Sequence, residues 1–286
     1  MREIFINFAL MLVKKLINLA FMAVLAVSCI GIARPEFAPA GEQDKEDDGD
    51  VTVIEDTEIV SIPDPEFKAY MIWRYDSDGD GELSRSEAQA VKAVEFQSDE
   101  IYSLKGLERC GALRKLNVRS SPIERGDEYK GRITSIDLTH NTTLSELNLE
   151  FQNIEKINLT QCTALSEVSI YLCPIKKLNI STLKHLTLLS AGWCSLESVD
   201  LSHSPALKEV HLDNNHLKTI TTGKLPDLEY IDISGNELEE ADFSECRNLN
   251  ILDCHDNPNL HTLYLKKGQV LGILTKDEHT ELIYID

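Results

Sequence analysis

The sequence predicts a β-rich solenoid with a small α-helical unit at its start. Three observations predict it: a leucine that recurs every 21 residues, one acidic loop pattern just before the array, and a break in the rhythm at the end. The 286 residues, 42% of them apolar, suffice to bury a sizeable core. With 48 acidic against 28 basic residues the net charge is −20, which argues against nucleic acid as a partner and favours solubility or cation binding.

At the N-terminus, Lys14 and Lys15 precede "LINLAFMAVLAVS", an apolar run too short for a comfortable membrane span and ending in small residues, as a secretory signal does. Cys29 follows at once. "LAVSC" resembles a bacterial lipobox, which implies that Cys29 carries the lipid and becomes the first mature residue. Residues 1–28 are thus expected to be a lipoprotein signal peptide, with plain secretion or an uncleaved anchor as other readings and Met11 as an alternative start. Residues 29–50, rich in Pro, Ala and acid and without periodicity, read as a disordered tether. The expected location is extracytoplasmic, on the outer membrane or cell surface, with surface and periplasmic faces both open and the lipid anchor the sole membrane contact.

Within residues 51–90 the stretch "YDSDGDGELSRSE" carries D-x-D-x-D-G-x5-E without a miss. Asp76, Asp78 and Asp80 offer hard oxygen ligands, Glu82 its carbonyl, Ser84 a direct or water-mediated contact and Glu87 two oxygens, while Gly81 permits the sharp turn. The expected ion is Ca2+, held in the weak range of roughly 10⁻⁴ to 10⁻³ M that suits an extracellular module. Pro65 after Asp64 starts a helix through "EFKAYMIWRY", and Ser84 with Glu87 forms a capping box for "RSEAQAVKAVEF". A chance acidic loop is the competing reading.

Residues 91–265 form the array. Leu144, Leu165, Leu186, Leu207, Leu228 and Leu249 are spaced 21 residues apart, and apolar residues fill the first, fourth, sixth, eleventh, fourteenth and sixteenth places of each unit. Each unit should hold two short strands of alternating pattern, which bury their apolar sides only by stacking coil on coil. The ninth place carries Gln152, Cys173, Cys194, Asn215, Asn236 and Asn257, side chains able to satisfy turn backbone from inside.

Units such as "LKEVHLDNN" and "LEYIDISGN" resemble the "LxxLxLxxN" motif of bacterial leucine-rich-repeat proteins, with a second strand in place of a helix; the resemblance covers about Val91 to Leu265. It implies recognition or adhesion rather than catalysis. The acidic segment is similar to the EF-hand-like cap that begins some surface leucine-rich-repeat proteins such as internalins, whereas dockerins need two such loops and only one is present. A first, degenerate coil begins at Val91, Val94 and Phe96, and residues 266–286, ending in an alternating strand, read as a C-terminal cap. The six cysteines after Cys29 fall on core or ladder places and read as buried free thiols.

Two features exceed what a solenoid requires. Between Leu113 and Leu144 the chain has ten residues too many, and the extra loop contains Arg125, Gly126 and Asp127, the triplet by which many matrix proteins engage integrins. A solvated turn is the plainer reading. Second, apolar side chains stand at places that should face water: Phe151, Tyr171, Leu172 and Trp193 on adjacent coils, with Leu188, His211 and Tyr230 on the outward side of the first strand. They read either as a surface for a protein or glycan ligand or as side chains folded over the coil edge onto one another.

The histidines, among them His203, His211, His255 and His261, have no metal spacing, and no nucleophile motif occurs. The expected protein is a monomeric binding module and not an enzyme. The alternative is a structural envelope protein or the recognition subunit of a nutrient-uptake complex.

Overall fold

The computed structural model describes residues 58–121 and 131–286. Helix α1 (Pro65–Tyr75) starts where Asp64 accepts hydrogen bonds from Glu66 N (3.1 Å) and Phe67 N (2.9 Å). The second Asp64 oxygen accepts from Tyr102 N (2.8 Å) and Ser103 N (3.0 Å), so one fully buried carboxylate ties the helix to the first coil. Helix α2 (Arg85–Ala90) carries the expected capping box between Ser84 and Glu87.

Helix α2 is shorter than the sequence pattern suggests. The chain leaves it at Val91 and enters strand β1 (Ala93–Gln97), which pairs in parallel with β2 (Lys115–Arg119). Val94 is fully buried and Phe96 packs against the same core, so the neighbouring coil claims these residues as strand. Phe67, Met71, Leu83 and Ala88 continue that core into the helical unit without a break.

Among the described residues, nine strands form one parallel sheet. After β1 and β2 come β4 (Glu146–Asn148), β6 (Glu167–Ser169), β7 (Leu188–Ser190), β9 (Glu209–His211), β11 (Tyr230–Asp232), β13 (Ile251–Asp253) and β15 (Ile273–Thr275). Register shifts by one unit at each step, so Leu147, Val168, Leu189, Val210, Ile231 and Leu252 stack in a row and are all buried. Burying each such side chain contributes about 1.5–3 kcal/mol.

The second strands form smaller sheets: β3 (Ser135–Asp137) with β5 (Lys156–Asn158), β8 (Ser198–Asp200) with β10 (Thr219–Thr221), and β12 (Glu240–Asp242), β14 (Thr262–Lys266) and β16 (Glu281–Ile285) together. The unit that starts at Leu165 lacks its second strand. There Pro174 has no N–H for the bond that Ser195 N makes to Ile175 O (3.1 Å) one coil on, and Ile175 N turns back to Cys173 O (2.7 Å).

The ninth-place side chains work as a ladder. Cys173 Sγ donates to Leu149 O (3.1 Å), Cys194 Sγ to Ile170 O (3.2 Å), and the Nδ2 groups of Asn215, Asn236 and Asn257 to Ala191, Leu212 and Ile233 O (2.9, 3.0 and 2.9 Å). Each bond reaches the sixth place of the preceding coil. The asparagines also accept, from Leu196, Leu217 and Leu238 N (3.0, 3.0 and 3.3 Å). Gln152, at the head of the row, is fully buried and its amide makes no hydrogen bond. A second row on the same 21-residue period, interrupted at Leu183, runs through Asn141, Cys162 and Ser204, whose side chains donate to Leu107, Leu138 and Ile180 O.

The Cys110, Cys162, Cys173, Cys194, Cys246 and Cys254 thiols are free and buried. Burial pushes Cys194 up to about 12 and Cys162 up to about 11.

Candidate functional site

The acidic loop lies between the two helices. Asp76 Oδ1 and Oδ2 accept from Gly79 N (2.7 Å) and Gly81 N (2.9 Å), Asp78 Oδ1 from Asp80 N (3.1 Å), and Asp80 Oδ1 from Glu82 N (2.8 Å). Gly79 and Gly81 take φ of 75° and 84°, the left-handed region that lets the chain wrap around its own carboxylates. The result is a convergence: oxygens of Asp76, Asp78 and Asp80 all lie within 4.8 Å of one another. Three hard oxygen donors around one point fit a divalent cation such as Ca2+.

The side chains of the other three predicted ligands make further contacts. The Glu82 carboxylate pairs with Lys68 Nζ (2.7 Å). Ser84 is turned into the helix cap, and the Glu87 oxygens accept from Ser77 N and Oγ (2.6 and 2.7 Å) and from Ser84 N and Oγ (2.9 Å each). Partial burial raises the Glu87 carboxyl, but these four bonds outweigh it and lower the group to about 2. The loop exit is pinned as well: Val60 N donates to Leu83 O and Arg85 N to Glu58 O, 2.8 Å each, around a bridge between Ile59 and Ser84. Only the fold reveals this pairing, because nothing in residues 58–60 marks them as partners of the loop.

The predicted apolar residues sit on the edge and outer face of the nine-stranded sheet. Phe151, Leu172 and Trp193 occupy the eighth place of successive coils, with φ of 61°, 55° and 53°. Later coils put Asn214, Gly235 and Asp256 there, at 53°, 66° and 54°. One backbone rule explains the row. Phe151, Leu172, Trp193, Asn214 and Gly235 N donate to Tyr171, Gly192, Asp213, Ser234 and His255 O of the next coil at 2.8–3.1 Å, so the left-handed turn recurs with its bond along the stack. Asn, Gly and Asp suit this region; Phe, Leu and Trp are strained in it.

Their side chains differ in fate. Phe151 packs edge-on against Tyr171 (centroids 6.2 Å, 78°), and Leu172 is half-buried. Trp193 stands 48% exposed. Tyr171 reaches across Gly192, where an added Cβ would come 3.1 Å from Tyr171 Cε2 and 2.4 Å from Asp213 Oδ1. His211 and Tyr230 stack with centroids 4.9 Å apart, His211 Nε2 lies 2.7 Å from Glu209 Oε1, and Leu188 is half-buried on the same face. Burial, aided by nearby carboxylates, pushes both tyrosine hydroxyls up: Asp213 and Glu150 at Tyr171, Asp232 and Asp253 at Tyr230.

Cys29 and the triplet Arg125, Gly126 and Asp127 lie outside the described residues, as do the signal and tether segments.

A parallel sheet of one strand per coil, an internal Asn and Cys ladder and a left-handed eighth place decide the architecture. The fold is a leucine-rich-repeat solenoid. Neither a protein-family model nor a curated protein sequence matches the chain. Among solved structures it is similar to the functional domain of InlJ from Listeria monocytogenes, which includes a cysteine ladder (18% identity over 78% of this chain, TM-score 0.47). It is also similar to an internalin, inlF, from Listeria monocytogenes (13% over 77%, TM-score 0.39, 94% of that chain). A third is a leucine-rich-repeat protein of Leptospira interrogans (15% over 70%, TM-score 0.41, 64% of that chain). The match spans 62% of the InlJ chain.

Proposed function

We propose that the chain is a lipid-anchored extracytoplasmic binding module, whose leucine-rich-repeat solenoid presents one sheet edge and face to a protein or glycan. The observation that carries this reading is Trp193. A large aromatic side chain is held nearly half exposed in a backbone conformation that disfavours it, at a place where the same fold accepts Asn or Gly. Strain of this kind, of order 1–3 kcal/mol, persists where the side chain has a use. Tyr171, Leu172, Leu188, His211 and Tyr230 extend the apolar surface, and aromatic residues are common anchors in such contacts.

In this reading Asp76, Asp78 and Asp80 hold Ca2+ with the Glu82 carbonyl, and the ion stiffens the unit that covers the open end of the core. When bound, it would offset two of the three negative charges crowded within 4.8 Å. Cys29 would carry the lipid.

Site-specific photocrosslinking on intact cells tests the recognition surface. A benzophenone side chain at Trp193 should give a discrete adduct, while one at Lys156, on the second-strand side, should not. Equal labelling from both positions, or none from either, overturns the proposal. Cys29→Ala should move the protein from the membrane to the soluble fraction, and added protease would tell the cell surface from the periplasm.

A further inference from the structure

The outer sheet face next to Trp193 has an uneven charge pattern. At the third, fifth and seventh places of the five coils beginning at Leu165, Leu186, Leu207, Leu228 and Leu249, no Lys or Arg occurs, while Glu167, Glu209, Asp213, Asp232 and Asp253 do. Tyr171 and Tyr230 stand among them, as do His211 and His255, which pair Glu209 (2.7 Å) and the buried Asp253 (2.5 Å) and leave Glu167, Asp213 and Asp232 without a histidine. We propose that this face binds the Lys or Arg side chains of a basic, extended segment of a partner protein, with the carboxylates pairing the cations and the tyrosine rings flanking them. The proposal rests on the recognition reading above and names the chemistry of its partner.

A further observation points to a polar ligand group there. Ser190, the register partner of His211 on this face, is 1% exposed, yet its hydroxyl has no hydrogen-bond partner. Beside it, Gly192 is buried under the Tyr171 ring and the Asp213 carboxylate, which pack so closely that a Cβ there would come 2.4 Å from Asp213 Oδ1. The carboxylates already feel one another: burial, with Asp213 and Asp253 adding to it, raises Asp232 above the usual carboxylate range.

The spacing favours a row of cations over a single metal ion. Among the described residues only Asp76, Asp78 and Asp80 bring three ligand atoms within 4.8 Å. The acids of the sheet face are instead spread along the stack, on every coil but the one beginning at Leu186, with coils roughly 4.8 Å apart and aromatic faces that attract a guanidinium or ammonium.

Binding of a fluorescent oligolysine peptide to the full chain tests this, with chitohexaose as the uncharged probe. Glu209→Gln, Asp213→Asn and Asp232→Asn together should weaken oligolysine binding by about tenfold or more. The control combination Glu155→Gln, Glu197→Gln and Glu239→Gln removes the same charge from exposed places off this face and should weaken it far less. Equal weakening by both sets would reduce the effect to bulk charge and overturn the proposal. So would binding of chitohexaose, sensitive to Tyr230→Ala, with none of oligolysine. A crosslinked partner at Trp193 that is indifferent to the three face substitutions would leave the recognition surface standing and remove the cationic class.

Discussion

Trp193 and Gly235 hold the same left-handed backbone conformation two coils apart, φ 53° and 66°, and each donates its N–H to the next coil. The position therefore belongs to the stack, and the identity of its side chain is free to serve something else. Replacing Trp193 by Asn relieves strain at little packing loss. Trp193→Asn should leave stability unchanged or raise it by up to about 1 kcal/mol in urea unfolding. A loss above about 2 kcal/mol would mean that the indole is core, against its exposure.

Asp64 gives the opposite expectation. Its carboxylate is fully buried and accepts four backbone N–H bonds, two from α1 and two from the first coil. Asp64→Ala strands these donors and should cost about 3 kcal/mol, read as a lower denaturant midpoint. An unchanged midpoint would show that helix and coil are not joined through this residue.

Calcium should raise the melting temperature. At calcium concentrations about a hundredfold above Kd the gain is about 2.7 kcal/mol, and excess chelator should reverse it. Asp80→Ala should melt alike with and without calcium. If wild type and Asp80→Ala respond equally, the loop does not hold the ion.

Glu87 predicts a pH dependence. Its folded value, about 2, lies below the ordinary 4.5, so the carboxylate stabilises the fold above pH 4.5 and that contribution fades as pH falls towards 2. Because the group is close to water, the contribution is discounted to about 1 kcal/mol. Glu87→Gln should be less stable than wild type by that amount at pH 7, with the two converging near pH 2. A constant gap across this range would refute the assignment.

The buried thiols should be silent. Cys194 stands near 12 and is closed off from solvent, so iodoacetamide at pH 8 should leave the six described cysteines unlabelled until denaturant is added. Rapid labelling of Cys173 or Cys194 in the folded protein would contradict the ladder.

The sequence made the array legible because stacking repeats one pattern, so Leu144 to Leu249 announce their own register. The ninth-place ladder was legible for the same reason. What stayed hidden depends on conformation or on distant pairing. The periodicity marks Phe151, Leu172 and Trp193 as out of place, but it carries no backbone angles, so their left-handed turns were invisible. Helix α2 read as longer because "VKAVEF" suits helix and strand alike, and the adjacent β2 decides between them. The acidic loop and its Ser84–Glu87 capping box were readable by spacing, yet the bonds from Ser77 to Glu87 and the bridge between Ile59 and Ser84 arise from contacts that spacing cannot rank.

The last coil holds a substitution of another kind. Where Phe151 to Gly235 donate to a following carbonyl, Asp256 N and Asn257 N donate instead to the carboxylate of Asp277 (3.0 and 2.8 Å). A side chain of the following turn thus takes the place of its backbone carbonyl, while Asp64 fastens the opposite end. With both ends finished by fixed residues, the number of turns between them becomes an independent variable. A 21-residue unit duplicated between Leu207 and Leu228 would lengthen the sheet by about 4.8 Å and add one more seat to its outer face, without asking either end to change.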